Sequence, residues 1–316
     1  MIDRRQSLFT TTLFLAIVAL TAPAPGQATP PIASGGDSPM PSLQPLLDFR
    51  SSDIKFNLQG LMGLLRDRNH EDWVLAAYPD PNTELPLIGA GFSLNLAATE
   101  HLQWDPLNPN QFLEPSSAQL WQAAGLDPER LHQVIEEFDH NMDTWGTKGY
   151  RRRIRAHTLR PQLTEREANQ LLRISAIQAI VNAKAYCRNF DQLSGPAQMA
   201  LSQLAFQMGI NLEEFVEFLS ELNRDTSHPD LSQPDGGLVT EAQHWKNVQS
   251  ALIDSEWARR YTVRAINVIA MFDPQYTSSP RSAEARVMAV LPPPVQHRHR
   301  HSAAHRSPHA KAHTRE

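Results

Sequence analysis

The sequence predicts an α+β protein with a small lobe built on a β-hairpin and a larger all-helical lobe, and three observations carry the prediction. Between Tyr78 and Leu96, Pro79, Pro81, Pro86, Gly89 and Gly91 punctuate an apolar stretch, which suits a bent β-ribbon rather than a helix. From Thr164 onward, apolar residues recur at helical spacing in segments separated by capping and turn residues. Cys187 is the only cysteine, so no intramolecular disulfide and no thiolate metal cluster can form, and packing must hold the fold. With 316 residues, 41% of them hydrophobic, the chain can bury one large core or two lobes and still leave tails.

The first 28 residues read as an export signal. Arg4 and Arg5 precede an apolar run from Leu8 to Ala22, and small residues follow to Gly26-Gln27-Ala28. The run is short for a membrane span, and no later segment is long and apolar enough to be one. An uncleaved N-terminal anchor is the other reading; with either, the body lies outside the cytoplasm, secreted or periplasmic. Residues 29–45 form a Pro/Gly/Ser linker.

The ends also change the charge balance. Residues 1–28 carry +1 and residues 281–316 carry +5, so the formal −5 of the whole chain becomes −5 − 1 − 5 = −11 on the body. An acidic body is a poor nucleic-acid binder, and no nucleic-acid partner is expected. Residues 277–316, with His297, His299, His301, His305, His309 and His313 among prolines and arginines, read as a disordered tail. Such a tail can bind divalent metal loosely or be drawn to an anionic wall, or it is simply a solvated extension.

The main domain is expected from residue 46 to 276. From Leu46 to His70 the apolar positions Phe56, Leu58, Leu61, Met62, Leu64 and Leu65 predict a helix that delivers Glu71 at its C-terminal end. A helix C-terminus disfavours negative charge, which favours the protonated form of a carboxyl placed there. Asp80 follows, with the ribbon closing on Ile88-Gly89-Ala90-Gly91. Two carboxylates beside a tight hairpin suit glycoside cleavage, which needs a proton donor for the leaving oxygen and a second, ionised carboxylate. Nothing in this pattern calls for a cofactor or a metal.

After the ribbon, residues 95–160 are of less decided character. Ser116 or Ser117 caps a short helix that stops at Gly125, and Asp127-Pro128-Glu129 starts another through about His140. Gly146 to Arg160 is a basic segment, either a solvated face or a grip for an anionic glycan.

Thr164-Glu165-Arg166-Glu167 is a capping box opening a long helix, with Ala168, Leu171, Leu172, Ile174, Ile177, Ile180 and Val181 as its apolar positions. Ser194-Gly195-Pro196 starts the next, whose surface is nearly all apolar. Asn211 is expected to cap a third helix, and Thr240–Asp254 and Ser255–Phe272 to form two more.

These blocks together resemble the phage-type lysozymes of glycoside hydrolase family 24. There a helix ends on a glutamate, eight residues intervene before an aspartate, and a hairpin closes on Ile-Gly-x-Gly; Glu71, Asp80 and Ile88-Gly89-Ala90-Gly91 have that arrangement. LTEREANQLLRISAIQAIVNAKAY is similar to the helix joining the lobes of that family, QMALSQLAFQMG to its central helix, and SEWARRYTVRAINVIAMF to its Trp-x6-Arg segment beside the cleft. About half of the chain is covered, in the family order. The resemblance implies a two-lobed lysozyme-like fold, Glu71 as general acid and Asp80 as the second carboxylate. It also places Arg264 against Glu71 and Gln207 at the cleft floor, where Gln207 either bonds sugar or has an interior role; Trp257 and Phe206 read most simply as core.

The departures fall at the chemistry. The loop after Asp80 is one residue longer than in the family, and Leu87 stands where the family has a threonine that holds the attacking water. Phe92 stands at the family's following histidine, and against that family residues 95–160 are a helical insertion with no counterpart. Thr83 and Glu84 lie in the same loop and are candidates for the missing polar role. Three outcomes stay open: hydrolysis with another loop residue, glycosyl transfer that needs no external water, or glycan binding alone. The expectation is an exported peptidoglycan-cleaving hydrolase, with peptidoglycan or a related amino-sugar polymer such as chitin as partner. A catalytically inactive wall-binding protein is the alternative.

Overall fold

A computed structural model describes residues 43–67, 73–81, 83–102, 111–225 and 239–292, all within one unit, Pro39–Glu316. The signal, most of the linker, Glu71 and the His-rich stretch lie outside the described residues. The described chain is α+β and mostly helical, with a small antiparallel sheet.

The single helix expected from Leu46 to His70 is instead two. Helix α1 (Gln44–Leu47) is one turn, and α2 (Leu58–Leu65) begins only after a 3-10 turn at Ser51–Asp53 and a bend. Asn57 sets that start: its Oδ1 accepts the N–H groups of Gln59 and Gly60 at 2.7 and 3.3 Å, a capping geometry that holds its own backbone extended. At the far end, Asp67 N–H turns back to Leu64 O at 3.0 Å, while the Arg66 guanidinium reaches Asn169 at 3.0 Å. The helix therefore ends at Leu65 and does not run on to Glu71.

Strands β1 (Val74–Pro79), β2 (Pro86–Gly89) and β3 (Phe92–Ser93) form the antiparallel ribbon, in that order. Val74 pairs with Gly89 and Tyr78 with Leu87, so β1 is bulged between them. The bulged backbone is satisfied from elsewhere: Leu75 O accepts from Gln162 and Leu163 N–H at 2.7 and 3.0 Å, and Ala77 N–H donates to Gln162 Oε1 at 2.6 Å. Gly91, at φ +83°, closes the β2–β3 turn in a conformation that costs other residues. A second antiparallel pair, β4 (Thr99–Leu102) with β5 (Gln111–Glu114), lies within residues 95–160, where the sequence pattern shows only helices.

Helix α3 (Ser117–Ala123) has the Ser116 cap and leads to Gly125 at φ +77°. Helix α4 (Pro128–Arg155) extends well past His140, with one break in helical geometry at Gly146. Aromatic packing carries it across the break: Tyr150 is buried against Phe138 and Trp145, with ring centroids 5.6 and 5.1 Å away. The arginine-rich segment is thus the last turns of a helix, where cations complement the dipole.

Helix α5 (Glu165–Tyr186) opens on the expected capping box, Thr164 with Glu167. Arg130 ties α4 to this point by hydrogen bonds to Glu167 and to Gln162 O. Helix α6 (Gly195–Met208) packs along α5 so closely to the preceding chain that a Cβ on Gly195 would stand 2.3 Å from Lys55 O. Ala176, Ile177, Ile180 and Ala183 of α5 and Ala200, Leu201 and Leu204 of α6 are fully enclosed, and α2, α3 and the ribbon also touch α5.

Asn211 does not cap a helix. Gly209, at φ +50°, ends α6, and residues 209–214 continue as a tight 3-10 turn before α7 (Val216–Leu222). Helix α8 (Glu241–Ile253) has the Thr240 cap; the segment after Ser255 divides at Tyr261 into α9 (Glu256–Arg260) and α10 (Thr262–Ala270). A final helix, α11 (Pro280–Val290), lies in the stretch read as tail and seats Ala283 and Val287 in the core. Among the described residues no helix is long and apolar enough to cross a membrane.

Candidate functional site

The two predicted carboxylates have different standing. Glu71 lies outside the described residues, and α2 ends at Leu65, six residues before it, so the dipole of α2 does not favour its protonated form. Asp80 follows β1 at the mouth of the hairpin loop, half-buried. Its Oδ1 accepts from Thr83 N–H at 2.7 Å and from Thr83 Oγ1 at 3.1 Å, and its backbone N–H donates to Leu85 O at 2.8 Å. This is an Asx-type turn, so Asp80 shapes the loop it sits on.

Thr83 and Glu84 serve the same loop. Glu84 holds φ +62°, and its Oε1 accepts from Thr147 of α4 at 2.6 Å, while Arg151 donates to Pro81 O at 3.2 Å. These two bonds tie the loop to the second half of α4. Leu87 is half-buried within the ladder, opposite Tyr78 and Ser93. Phe92 is buried.

Arg264 sits on the inner side of α10 with 5% exposure, its guanidinium 5.9 Å from the ring of Tyr261. A cation this buried requires compensating acceptors, since an uncompensated charge in the interior is prohibitively costly. Gln207, near the end of α6, accepts the indole N–H of Trp257 at 3.1 Å, so it has an interior role and also reaches a cavity.

That cavity, of about 330 Å³, lies where the β2–β3 turn, the start of α3 and one face of α5 meet the end of α6. Phe92 and Phe206 supply apolar walls, and Ser93, Glu114, Gln178, Asn182 and Gln207 supply polar ones. Three of these form a chain: Gln178 Nε2 donates to Asn182 Oδ1 at 2.5 Å, and Asn182 Nδ2 donates to Glu114 Oε1 at 3.3 Å. Gln178 and Asn182 are both buried. Close by in the chain of contacts, Tyr186 has its hydroxyl pKa pushed up by burial and by the carboxylates of Glu213 and Glu114.

The structure therefore brings Gln207 into a cavity, gathers Asp80, Thr83 and Glu84 at the hairpin loop, and seats Arg264 in the helical interior. Asp80, Thr83, Glu84 and Arg264 do not line the cavity. Sequence reasoning missed Gln178, Asn182 and Glu114. Gln178 and Asn182 are four apart on a helix whose neighbouring positions are apolar, and that polar pair in a buried stripe was the available signal. Glu114 had none, because its strand lies in a stretch with no clear strand pattern.

Cys187 is buried, and burial pushes its thiol up to about 12, so it is no nucleophile at neutral pH. Among the described residues no group of three or more His, Cys, Asp or Glu side chains is placed to hold a metal ion. No family model matches the chain, and no curated protein or solved structure matches it.

Proposed function

We propose that this chain is an exported lysozyme-like glycoside hydrolase acting on peptidoglycan, at the β-1,4 bond between N-acetylmuramic acid and N-acetylglucosamine. The observation that carries the reading is the cavity beside the ribbon, in which amides, hydroxyls and a carboxylate alternate with two phenylalanine side chains. Sugars present hydroxyls around an apolar ring face, and a wall of that mixed chemistry matches them. In this reading the ribbon belongs to a small lobe, the later helices to a large one, and the glycan lies across both. Glu71 is the general acid and Asp80 the second carboxylate, held in place by its turn with Thr83. Arg264 is the cation that positions Glu71. The chemistry needs no cofactor.

A second reading, glycan binding without cleavage, is favoured by one observation. Leu87 has no group to order a water, and Thr83, the nearest hydroxyl in the loop, is already engaged with Asp80.

The test is release of new reducing ends from purified peptidoglycan. Glu71→Gln keeps the shape and removes the proton, so the rate falls by about 10²-fold or more if Glu71 is the acid. Leu87→Thr restores a hydroxyl and raises the hydrolytic rate. Should wild type and Glu71→Gln be equally inert while both sediment with peptidoglycan, the binding reading replaces the enzymatic one.

A further inference from the structure

The last turns of α4 concentrate positive charge on a surface of otherwise opposite sign. After the break at Gly146, Arg151, Arg152 and Arg155 stand three, four and seven residues beyond Lys148, which puts all four on one helix face over about 11 Å. All four are exposed, while Tyr150 on the other face is buried. None of them forms an ion pair among the described residues. Arg151 and Arg155 donate only to carbonyls, those of Pro81 and Arg151. The carboxylate that reaches this piece of helix, Glu84, is bonded to Thr147 in its first turn. Like charges at these spacings repel, and the helix dipole favours cations only in the final turn, so Lys148 and Arg151 gain little from it. Residues 148–160 hold six Lys and Arg and no carboxylate, and the rest of the body sums to −11 − 6 = −17. Beside the stripe lies a cavity of about 470 Å³, whose described lining includes Arg66, Trp73, Arg153, Arg155 and His157 and no carboxylate.

We propose that this face of α4 is a docking surface for a single, flexible phosphodiester chain. Charge complementarity names an anion, and three arginines in four positions suit phosphate, whose oxygens the guanidinium fork matches. The width of the partner follows from the other half of the helix. Glu136, Glu137, Asp139 and Asp143 are exposed there, so a bilayer or a duplex laid along α4 meets a row of like charge. A narrow chain crosses the basic turns alone. No large exposed apolar side chain lies within residues 147–160 to enter a bilayer. The inference rests on the proposed export for where such a polymer is met, and not on glycan cleavage.

The experiment is calorimetric titration of the purified full chain with a short poly(glycerol phosphate) oligomer, which contains no sugar. With four phosphates neutralised, log K falls with log salt at a slope of about −3, so a fourfold rise in salt weakens binding about 50-fold. The triple variant Lys148→Gln, Arg152→Gln, Arg155→Gln, checked for an unchanged melting temperature, reduces the slope to about −0.7. A second triple variant, Arg166→Gln, Arg173→Gln, Lys246→Gln, makes the same change of net charge at exposed positions elsewhere and leaves binding as in wild type. Arg152→Gln alone lowers the slope by about 0.7 and keeps the test valid if the first triple variant fails to fold. Equal loss in the two triple variants overturns the proposal, because net charge alone then governs binding. Absence of binding at low salt overturns it, as does tighter binding of phosphatidylglycerol vesicles or double-stranded DNA, or equal binding of a polyglutamate of matching charge. Peptidoglycan cleavage is read separately, by release of reducing ends, and stands or falls apart from these results.

Discussion

The indole N–H of Trp257 donates to Oε1 of Gln207 at 3.1 Å, joining the end of α6 to α9 across fifty residues of sequence. Trp257 is 4% exposed, so the indole has no ready access to water as an alternative partner. Gln207→Leu leaves that N–H without an acceptor and should cost about 1–3 kcal/mol in urea unfolding. Gln207→Glu retains an oxygen at the same place and should cost much less. Equal stability of the two variants would show that the bond does not hold these helices together.

Two glycines separate close approach from helix propensity. Gly195→Ala places a methyl 2.3 Å from Lys55 O, a backbone atom that cannot swing aside, so α6 must shift; a loss of about 1–3 kcal/mol is expected. Gly63, inside α2, has nothing within 4 Å of its would-be Cβ. Gly63→Ala should therefore stabilise, by about 0.5–1 kcal/mol. Chemical denaturation of both variants under one set of conditions checks the sign in each case.

What could be read from the sequence was mainly local. Ser116, Asp127, Thr164, Ser194, Thr240 and Ser255 each cap a helix with their own side chain, because an N-cap needs only an oxygen at one position and free N–H groups two or three residues on. The ribbon was legible from Pro79, Pro86, Gly89 and Gly91 for the same reason. Asn57 and Asn211 show the limit: the same residue type caps α2 in one case and lies within a 3-10 turn in the other, and Gly209 two residues earlier decided the second. The candidate cavity was less legible still. Glu114, Asn182 and Gln178 are 68 and 4 residues apart, and only the packing of the β5 strand against α5 makes them one hydrogen-bonded chain.

His244 gives the fold a pH-dependent element. It is 8% exposed on α8, its Nδ1 is buried without a hydrogen bond from the described residues, and its ring stands edge-on to Trp245 with centroids 4.9 Å apart. Burial lowers its pKa; the nearby Glu221 and Glu241 oppose the shift, and Arg224 adds to it. The folded state thus favours the neutral ring. Stability from this site is fully present above the unfolded value of 6.5 and is lost as pH falls through the lower folded value. His244→Gln removes the titration, so melting temperatures of wild type and variant should converge at neutral pH and diverge below about 6.5 in favour of the variant. A parallel pH dependence in the two proteins would exclude His244 as its source.

The turn role of Asp80 and the catalytic role proposed for it are separable, and isosteric replacement distinguishes them. As a turn residue it needs only an oxygen that accepts from Thr83 N–H and Thr83 Oγ1. As a catalytic carboxylate it needs the negative charge as well, since the oxocarbenium-like transition state is stabilised by an ionised group. Asp80→Asn keeps the acceptor and removes the charge, so stability should change by less than about 0.5 kcal/mol while wall cleavage falls. Asp80→Ala removes both, and should lower stability by about 1 kcal/mol through loss of the turn bonds. Thr83→Ala isolates the turn contribution, because it deletes the hydroxyl bond and leaves the carboxylate charge in place. Undiminished cleavage by Asp80→Asn, with Asp80→Ala and Thr83→Ala merely less stable, would make Asp80 a structural residue of the hairpin and leave Glu71 without its second carboxylate.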